Sequence, residues 1–370
     1  MAKQKKEKPK MVATFPHMGS YYVVFEVLLK RIYKNITVIV PPPISAKTLE
    51  IGSLHSPDFV CVPFKYTMGS LMEVLDKGVT HIFQASNACG CRVDFYSELQ
   101  KELLKDKGYN LKFITPFHDQ KLKIFKVIKI IRSAGKTVNI FSLGNSALAI
   151  LKMIECIDIV EDYTRKNVGF EVEPNSFAKL NKEYLDQIKT AKTIFGVKKI
   201  HKKYFELFKA IPLNKPEKPI KVLCVGEIFC VADPAANYFI EKQLAKYNIE
   251  VHRPATLTHA LSAGDYKNKQ RELKVASDRG YLKYDTGSDG SVPYSIEAAE
   301  AGFDGVVHLK PFGCILEVNA MPTMIKISAD YKMPILFFSL DSQANTTSMK
   351  TRLEAFYDMI KMKKEKEGTL

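Results

Sequence analysis

Short apolar runs that alternate with helix-length amphipathic stretches constrain this chain more than any other feature, and the alternation occurs twice. In the first third, "MVATFP" (11–16), "ITVIVP" (36–41), "FVCVP" (59–63), "HIFQAS" (81–86) and "LKFITPF" (111–117) are strand-length. Helical patterns over 19–33, 66–78 and 92–107 lie among them, and Gly78 and Gly108 stand where a helix-ending glycine is expected. From residue 220 the pattern resumes. "IKVLCVG" (220–226), "IEVHRP" (249–254), "DGVVHL" (304–309) and "PILFFSL" (334–340) alternate with helices over 234–246, 319–330 and 348–363. Strands separated by such helices predict βαβ units and parallel pairing.

The stretch between the two halves differs. Residues 118–215 read as mostly helical and Lys-rich, and "IPLNKPEKPI" (211–220) reads as a linker. The expected fold is therefore α/β, with two Rossmann-like parallel-sheet domains joined by a mostly helical segment. The expected boundaries are a basic tail at 1–10, a first domain at 11–117, the helical segment and linker at 118–217, a second domain at 218–363 and a charged tail at 364–370. Both tails are expected to be disordered. A length of 370 residues agrees with two domains.

The net charge of +15 is unevenly placed. Twenty basic and ten acidic residues fall between 121 and 220, whereas 221–370 is balanced. "KLKIFKVIKIIR" and "GVKKIHKKYFELFK" imitate a nucleic-acid groove, but a solvated helix face accounts for them, and no nucleic-acid partner is expected. The longest apolar runs are strand-length, so no membrane partner is expected either. "MAKQKKEKPK" lacks a following apolar h-region, which points to a cytoplasmic protein.

Seven cysteines, at 61, 89, 91, 156, 224, 230 and 314, are an odd number in a long chain with no visible export signal, so no disulfide framework is expected. Cys61, Cys91 and Cys314 each fall at an expected strand-to-helix connection. In an open parallel sheet those connections gather at the carboxyl edge, where ligands bind. Each also precedes a helix N-terminus, whose partial positive charge favours a thiolate. Two readings stand: thiols from both halves meet across a cleft and bind metal, or they are buried core residues. Neither zinc-ribbon nor short-range ferredoxin spacing is present. Cys156 and Cys224 read as core, and Cys230 is ambiguous because its loop also follows a strand. His17, in "FPHMG", either lines the same cleft or is a satisfied structural histidine.

Seven blocks in order resemble the family of 2-hydroxyacyl-CoA dehydratase subunits and their activase-associated relatives. They are "FPHMGSYY", "VPPPISAKTLEIG", "CVPFKYTMG", "ACGCRVDFYSELQ", "VGEIFCVADPAAN", "GFDGVVHLKPFGC" and "LDSQANTTSMKTRLEAF". The resemblance spans about residues 11 to 360. It implies that Cys61, Cys91 and Cys314 ligate an iron–sulfur cluster, most plausibly [4Fe–4S]. Two departures stand out. Gly90 replaces a proline and Cys89 adds a thiol in the second block, and Ile315 and Leu316 replace Met-Pro in the third.

Four irons need four terminal ligands. Three cysteines leave one iron open to act as a Lewis acid, whereas a fourth ligand, with Cys89 the candidate, leaves only electron transfer. The resemblance further implies a low-potential electron delivered by an ATP-dependent activase, and a radical dehydration or similar difficult reduction of an acyl-CoA substrate. No Gly-x-x-x-x-Gly-Lys-Ser/Thr loop is present, which agrees with an outside activase. A related subunit, or a second copy, is a further expected partner. The chain is then a lyase or a component of one; the alternatives are a non-catalytic electron-transfer partner and a metal-free interaction module. Lys65 and Arg92, beside ligand cysteines, are expected to offset cluster charge or to be ordinary charges. Glu227 and Glu317, at the same sheet edge, are candidate general acids or bases, with helix capping or a salt bridge as the alternative.

Overall fold

The computed structural model describes residues 11–33, 35–84, 91–115, 140–262, 266–282, 290–342 and 346–368. It contains two four-stranded sheets, each parallel throughout. The first holds β1 (Met11–Thr14), β2 (Ile36–Val38), β3 (His81–Phe83) and β4 (Lys112–Ile114) in the order β2-β1-β3-β4. The second holds β5 (Ile220–Gly226), β6 (Ile249–His252), β7 (Gly305–Pro311) and β8 (Ile335–Leu340) in the order β6-β5-β7-β8. The expected α/β class with two Rossmann-like sheets is thus the observed one, and both sheets use the same strand order.

Chain order explains the parallel pairing, because each return to the sheet passes through helices. The first half supplies α1 (Tyr22–Ile32), α2 (Ala46–Leu54), α3 (Val62–Met72) and α4 (Tyr96–Asp106). The middle supplies α5 (Ile140–Asn167), α6 (Ser176–Ile188) and α7 (Ile194–Lys209). The second half supplies α8 (Ile228–Ala232), α9 (Ile240–Ala245), α10 (Leu257–Ser262), α11 (Tyr266–Asp278), α12 (Ser291–Glu300), α13 (Ile315–Asp330) and α14 (Thr346–Lys366). Every residue of β7 is buried, as a central strand covered on both faces requires.

The two halves are welded rather than merely tethered. Helix α5 packs on α1 and also on β6 and α10. With α6 and α7 it builds one core around Val24, Ile157, Phe177 and Phe208. Helix α3 is the second weld. Its residues Val62 to Leu71 are all buried, because both faces are apolar. Phe64, Met68 and Leu71 pack with Ile82 of the first sheet. Val62 and Tyr66 join Val222 and Leu309 of the second, where Tyr66 stacks on Phe229 at 6.1 Å.

The α2–α3 hairpin closes on two glycines. A Cβ on Gly52 would lie 1.8 Å from the Lys65 carbonyl oxygen, and one on Gly69 would lie 1.9 Å from that of Thr48. Only glycine permits that approach. Sequence reading placed no helix at 46–54, yet Ser45 caps α2 in a capping box with Thr48.

Several expectations need correction. "FVCVP" is not a strand. Pro63 sits in the first turn of α3, where its preset φ suits a helix start, so the helix begins at Val62 and Cys61 becomes its N-cap. Helix α13 begins at Ile315 rather than 319 and carries Pro322 within it. The linker is anchored: Lys215 Nζ reaches the Lys166 carbonyl and Asn167 Oδ1 at 3.0 Å each, and Glu250 at 2.8 Å. Helix α14 runs to Lys366, into the stretch from 364 expected to be a disordered tail, and Lys364 Nζ meets Asp304 Oδ1 at 2.9 Å. The basic tail at 1–10 lies outside the described residues.

Candidate functional site

Three cysteines occupy equivalent local positions. Cys61 is the N-cap of α3, Cys91 that of the 3-10 turn Arg92–Phe95 leading into α4, and Cys314 that of α13. All three thiols are half-buried, whereas Cys156, Cys224 and Cys230 are buried. Cys314 is set by a turn in which its N–H donates to the Pro311 carbonyl at 3.1 Å, with Gly313 at φ +68°. Cys89 lies outside the described residues.

Arg92 draws the three loops together. Its Nη1 donates to the Phe59 carbonyl and its Nη2 to the Gly313 carbonyl, each at 2.7 Å. One side chain, adjacent to Cys91 in sequence, thereby holds the segments leading into Cys61 and Cys314. Tyr96, at the start of α4, places its hydroxyl 3.0 Å from Cys61 Sγ. Burial pushes the Tyr96 hydroxyl well up, and the charges of Cys61, Glu227 and Cys91 add to that effect. Burial raises the Cys61 thiol, with Glu227 adding to the rise while the Tyr96 hydrogen bond and Arg92 oppose it. Burial pushes Cys314 up to about 12, with Glu227 and Glu317 contributing. Cys230 is held well above its ordinary value by burial, then by Glu227, Cys314 and Cys61. These mutual influences put residues from four separate connections into one electrostatic neighbourhood.

The two candidate carboxylates differ. Glu227 follows Gly226, whose φ of +139° ends β5 against β7; a Cβ there would lie 1.8 Å from the Leu309 carbonyl oxygen. Glu227 is the N-cap of α8 and accepts from the Phe229 and Cys230 N–H groups at 3.1 and 2.9 Å. The capping alternative therefore describes its geometry, while burial raises its carboxyl despite those bonds. Glu317 is 1% exposed. Its Oε2 accepts from Ser291 Oγ at 2.8 Å and lies 2.7 Å from His308 Nε2. That carboxylate is engaged in a buried network of α12, α13 and β7.

Lys65 is nearly buried and reaches across to Ser342 Oγ at 3.3 Å, tying α3 to the segment after β8. His17 belongs to another seam. It stacks on Tyr22 at 5.1 Å, and its Nδ1 is 4.0 Å from Asp233 Oδ2. Asp233 also accepts from the N–H groups of Gly19, Ala235 and Ala236. Around the cysteine loops, Phe59, Phe95, Phe312 and Ile315 are largely exposed, with Phe59 at 92%.

Among the described residues, no group of three or more His, Cys, Asp or Glu is gathered tightly enough to hold one metal ion. Tetrahedral zinc would need sulfurs about 3.8 Å apart. Thiols raised by burial keep their protons until a metal displaces them. Sequence reading did not single out Tyr96 or Lys310, although both stand in quoted blocks, "RVDFYSELQ" and "HLKPFGC". Only contact with Cys61, or burial beside Cys314, distinguishes them.

No family model matches the chain, and no curated protein matches it. No helix among the described residues is long and apolar enough to cross a membrane.

Proposed function

We propose that the chain is an iron–sulfur protein resembling a 2-hydroxyacyl-CoA dehydratase component, with a [4Fe–4S] cluster on Cys61, Cys91 and Cys314. The observation that carries this reading is the Arg92 clasp. It ties the segments leading into Cys61 and Cys314, from the two halves of the molecule, to the residue that follows Cys91, and all three thiols are half-buried. When bound, such a cluster supplies a low-potential electron and, at an iron without a cysteine, a Lewis-acid position.

The chain's own residues supply the surroundings. Arg92 contributes positive charge beside the Cys61 thiol, and Lys65 lies one turn into the helix that Cys61 caps. Glu227, its carboxyl raised by burial, is the group suited to hold a proton at this edge. The exposed phenylalanines around the cysteine loops give an apolar rim for a protein partner, and the partner of this reading is an ATP-dependent activase that delivers the electron. The substrate of this reading is an acyl-CoA thioester.

The test is anaerobic reconstitution with iron and sulfide, followed by metal analysis and electron paramagnetic resonance of the reduced protein. About four irons per chain, lost on changing Cys61, Cys91 or Cys314 to serine, is the expected result. A colourless protein, or a zinc-filled one, overturns the reading.

A further inference from the structure

His17 is a buried histidine without a task in the reading above. It follows the carboxyl end of β1, and Asp233 follows β5 at the far end of α8. Strands β1 and β5 hold the same place in their two sheets. His17 and Asp233 thus come from equivalent connections, at the edges where open parallel sheets take their ligands. Asp233 is 2% exposed and firmly held. Its Oδ1 accepts from the Ala235 and Ala236 N–H groups at 2.9 and 3.2 Å, and its Oδ2 from the Gly19 N–H of the other half at 2.9 Å. His17, 5% exposed, is fixed by its own N–H on Ser70 Oγ at 3.0 Å and by its stack on Tyr22. Its Nδ1 is enclosed, bonded to nothing, and 4.0 Å from Asp233 Oδ2. Its Nε2 has no protein partner among the described residues either, but that nitrogen is not enclosed. Among the described residues, no lysine or arginine lies within ion-pair distance of Asp233; His17 alone does.

We infer that His17 and Asp233 form an acid–base pair, in which Asp233 keeps the ring proton on Nδ1 and the Nε2 lone pair accepts an O–H or N–H proton from a small molecule bound at this junction. His17 is the proton acceptor and Asp233 its positioning residue. A carboxylate behind one ring nitrogen fixes the tautomer and leaves the other nitrogen as the base. A separation of 4.0 Å is too long for a hydrogen bond. Catalytic contacts of this kind are often long until a ligand draws them in. Burial lowers the His17 imidazole below its ordinary value of 6.5, and Asp233 opposes the shift without reversing it, so the ring is neutral and its lone pair free at neutral pH. A packed structural histidine ordinarily has its buried nitrogen hydrogen-bonded, and this one does not. The pair needs no metal and is independent of the cluster reading.

The experiment uses the full chain with isotope-labelled histidine nitrogens, and His17→Gln identifies the His17 resonances. Nuclear magnetic resonance at neutral pH reads which nitrogen carries the proton. Diethyl pyrocarbonate, which acylates a ring nitrogen through its lone pair, reads whether Nε2 is available, with the modified residue mapped by peptide mass spectrometry. The expected parent has its proton on Nδ1 and is acylated at His17. Asp233→Asn keeps the size but turns one acceptor into a donor. It is expected to move the proton to Nε2 and to slow His17 acylation by about tenfold or more. A parent ring protonated on Nε2, a parent His17 that resists the reagent, or a folded Asp233→Asn chain that changes neither readout overturns the inference. The parent measurements decide alone if Asp233→Asn does not fold. Neither readout involves iron or sulfide, so failure here leaves the cluster reading standing, and failure of that reading leaves this one.

Discussion

The Arg92 guanidinium donates to the Gly313 carbonyl at 2.7 Å, joining residues 221 positions apart in the chain. Its other arm holds the Phe59 carbonyl at the same distance. No shorter or single-headed side chain can hold both carbonyls in one plane.

Arg92→Lys therefore keeps the charge and loses one arm. The expected cost is about 1 kcal/mol in unfolding free energy, since the site is open to solvent. A much larger proportional loss of bound iron after reconstitution is expected, because the loops of Cys61 and Cys314 are no longer held together. Denaturant titration and iron analysis on one preparation separate the two effects; full iron retention would remove Arg92 from the site.

Cys89 and Cys224 give opposite controls. Cys224 is buried inside β5, so Cys224→Ser places a hydroxyl in a core and lowers stability by about 1–3 kcal/mol without changing iron per folded chain. Cys89→Ser is expected to leave the reduced spectrum unchanged, as three ligands require. A changed spectrum would move the protein to the electron-transfer reading.

Gly52→Ala tests the hairpin that seats α3. The added methyl meets a backbone carbonyl at 1.8 Å, and backbone cannot yield as a flexible side chain does. The expected loss is about 3 kcal/mol, at the upper end for overpacking, read from the denaturation midpoint. A change below about 0.5 kcal/mol would show that α2 and α3 separate easily.

Stability should depend on pH through histidines that are buried or half-buried. His17, His81, His201 and His259 all have lowered pKa values, in each case first through burial. Asp233 opposes the shift at His17 without reversing it. A folded state with depressed values binds fewer protons than the unfolded chain. Its contribution is full above the ordinary value of 6.5 and is lost as pH falls below it. Asp158, raised by burial, acts in the opposite sense at lower pH. His17→Gln should flatten the dependence of the denaturation midpoint between about pH 7.5 and about pH 5.5. An unaltered slope would mean that His17 titrates normally.

Alternation of apolar runs and helical patterns was enough to establish two parallel sheets, because burial on both faces demands continuous apolar strands and each parallel return demands a crossover. The same periodicity misassigned "FVCVP": composition marks an apolar run, but Pro63 decides that a helix starts there. It also missed α2, whose identity rests on a Ser45–Thr48 cap and on two glycines meeting across a gap that no single segment reveals. Cys61, Cys91 and Cys314 were legible as chemistry-bearing residues at helix starts. How their loops are tied was not, since it depends on Arg92 reaching two carbonyls from distant segments. Lys310 looked like any lysine near a strand end; its burial exists only once β7 and its neighbours have packed. Local pattern determined the elements, since it acts through backbone geometry and burial of adjacent residues. Tertiary packing alone decided which charges and thiols face one another, because electrostatic and hydrogen-bond energies depend on distances in space rather than along the chain.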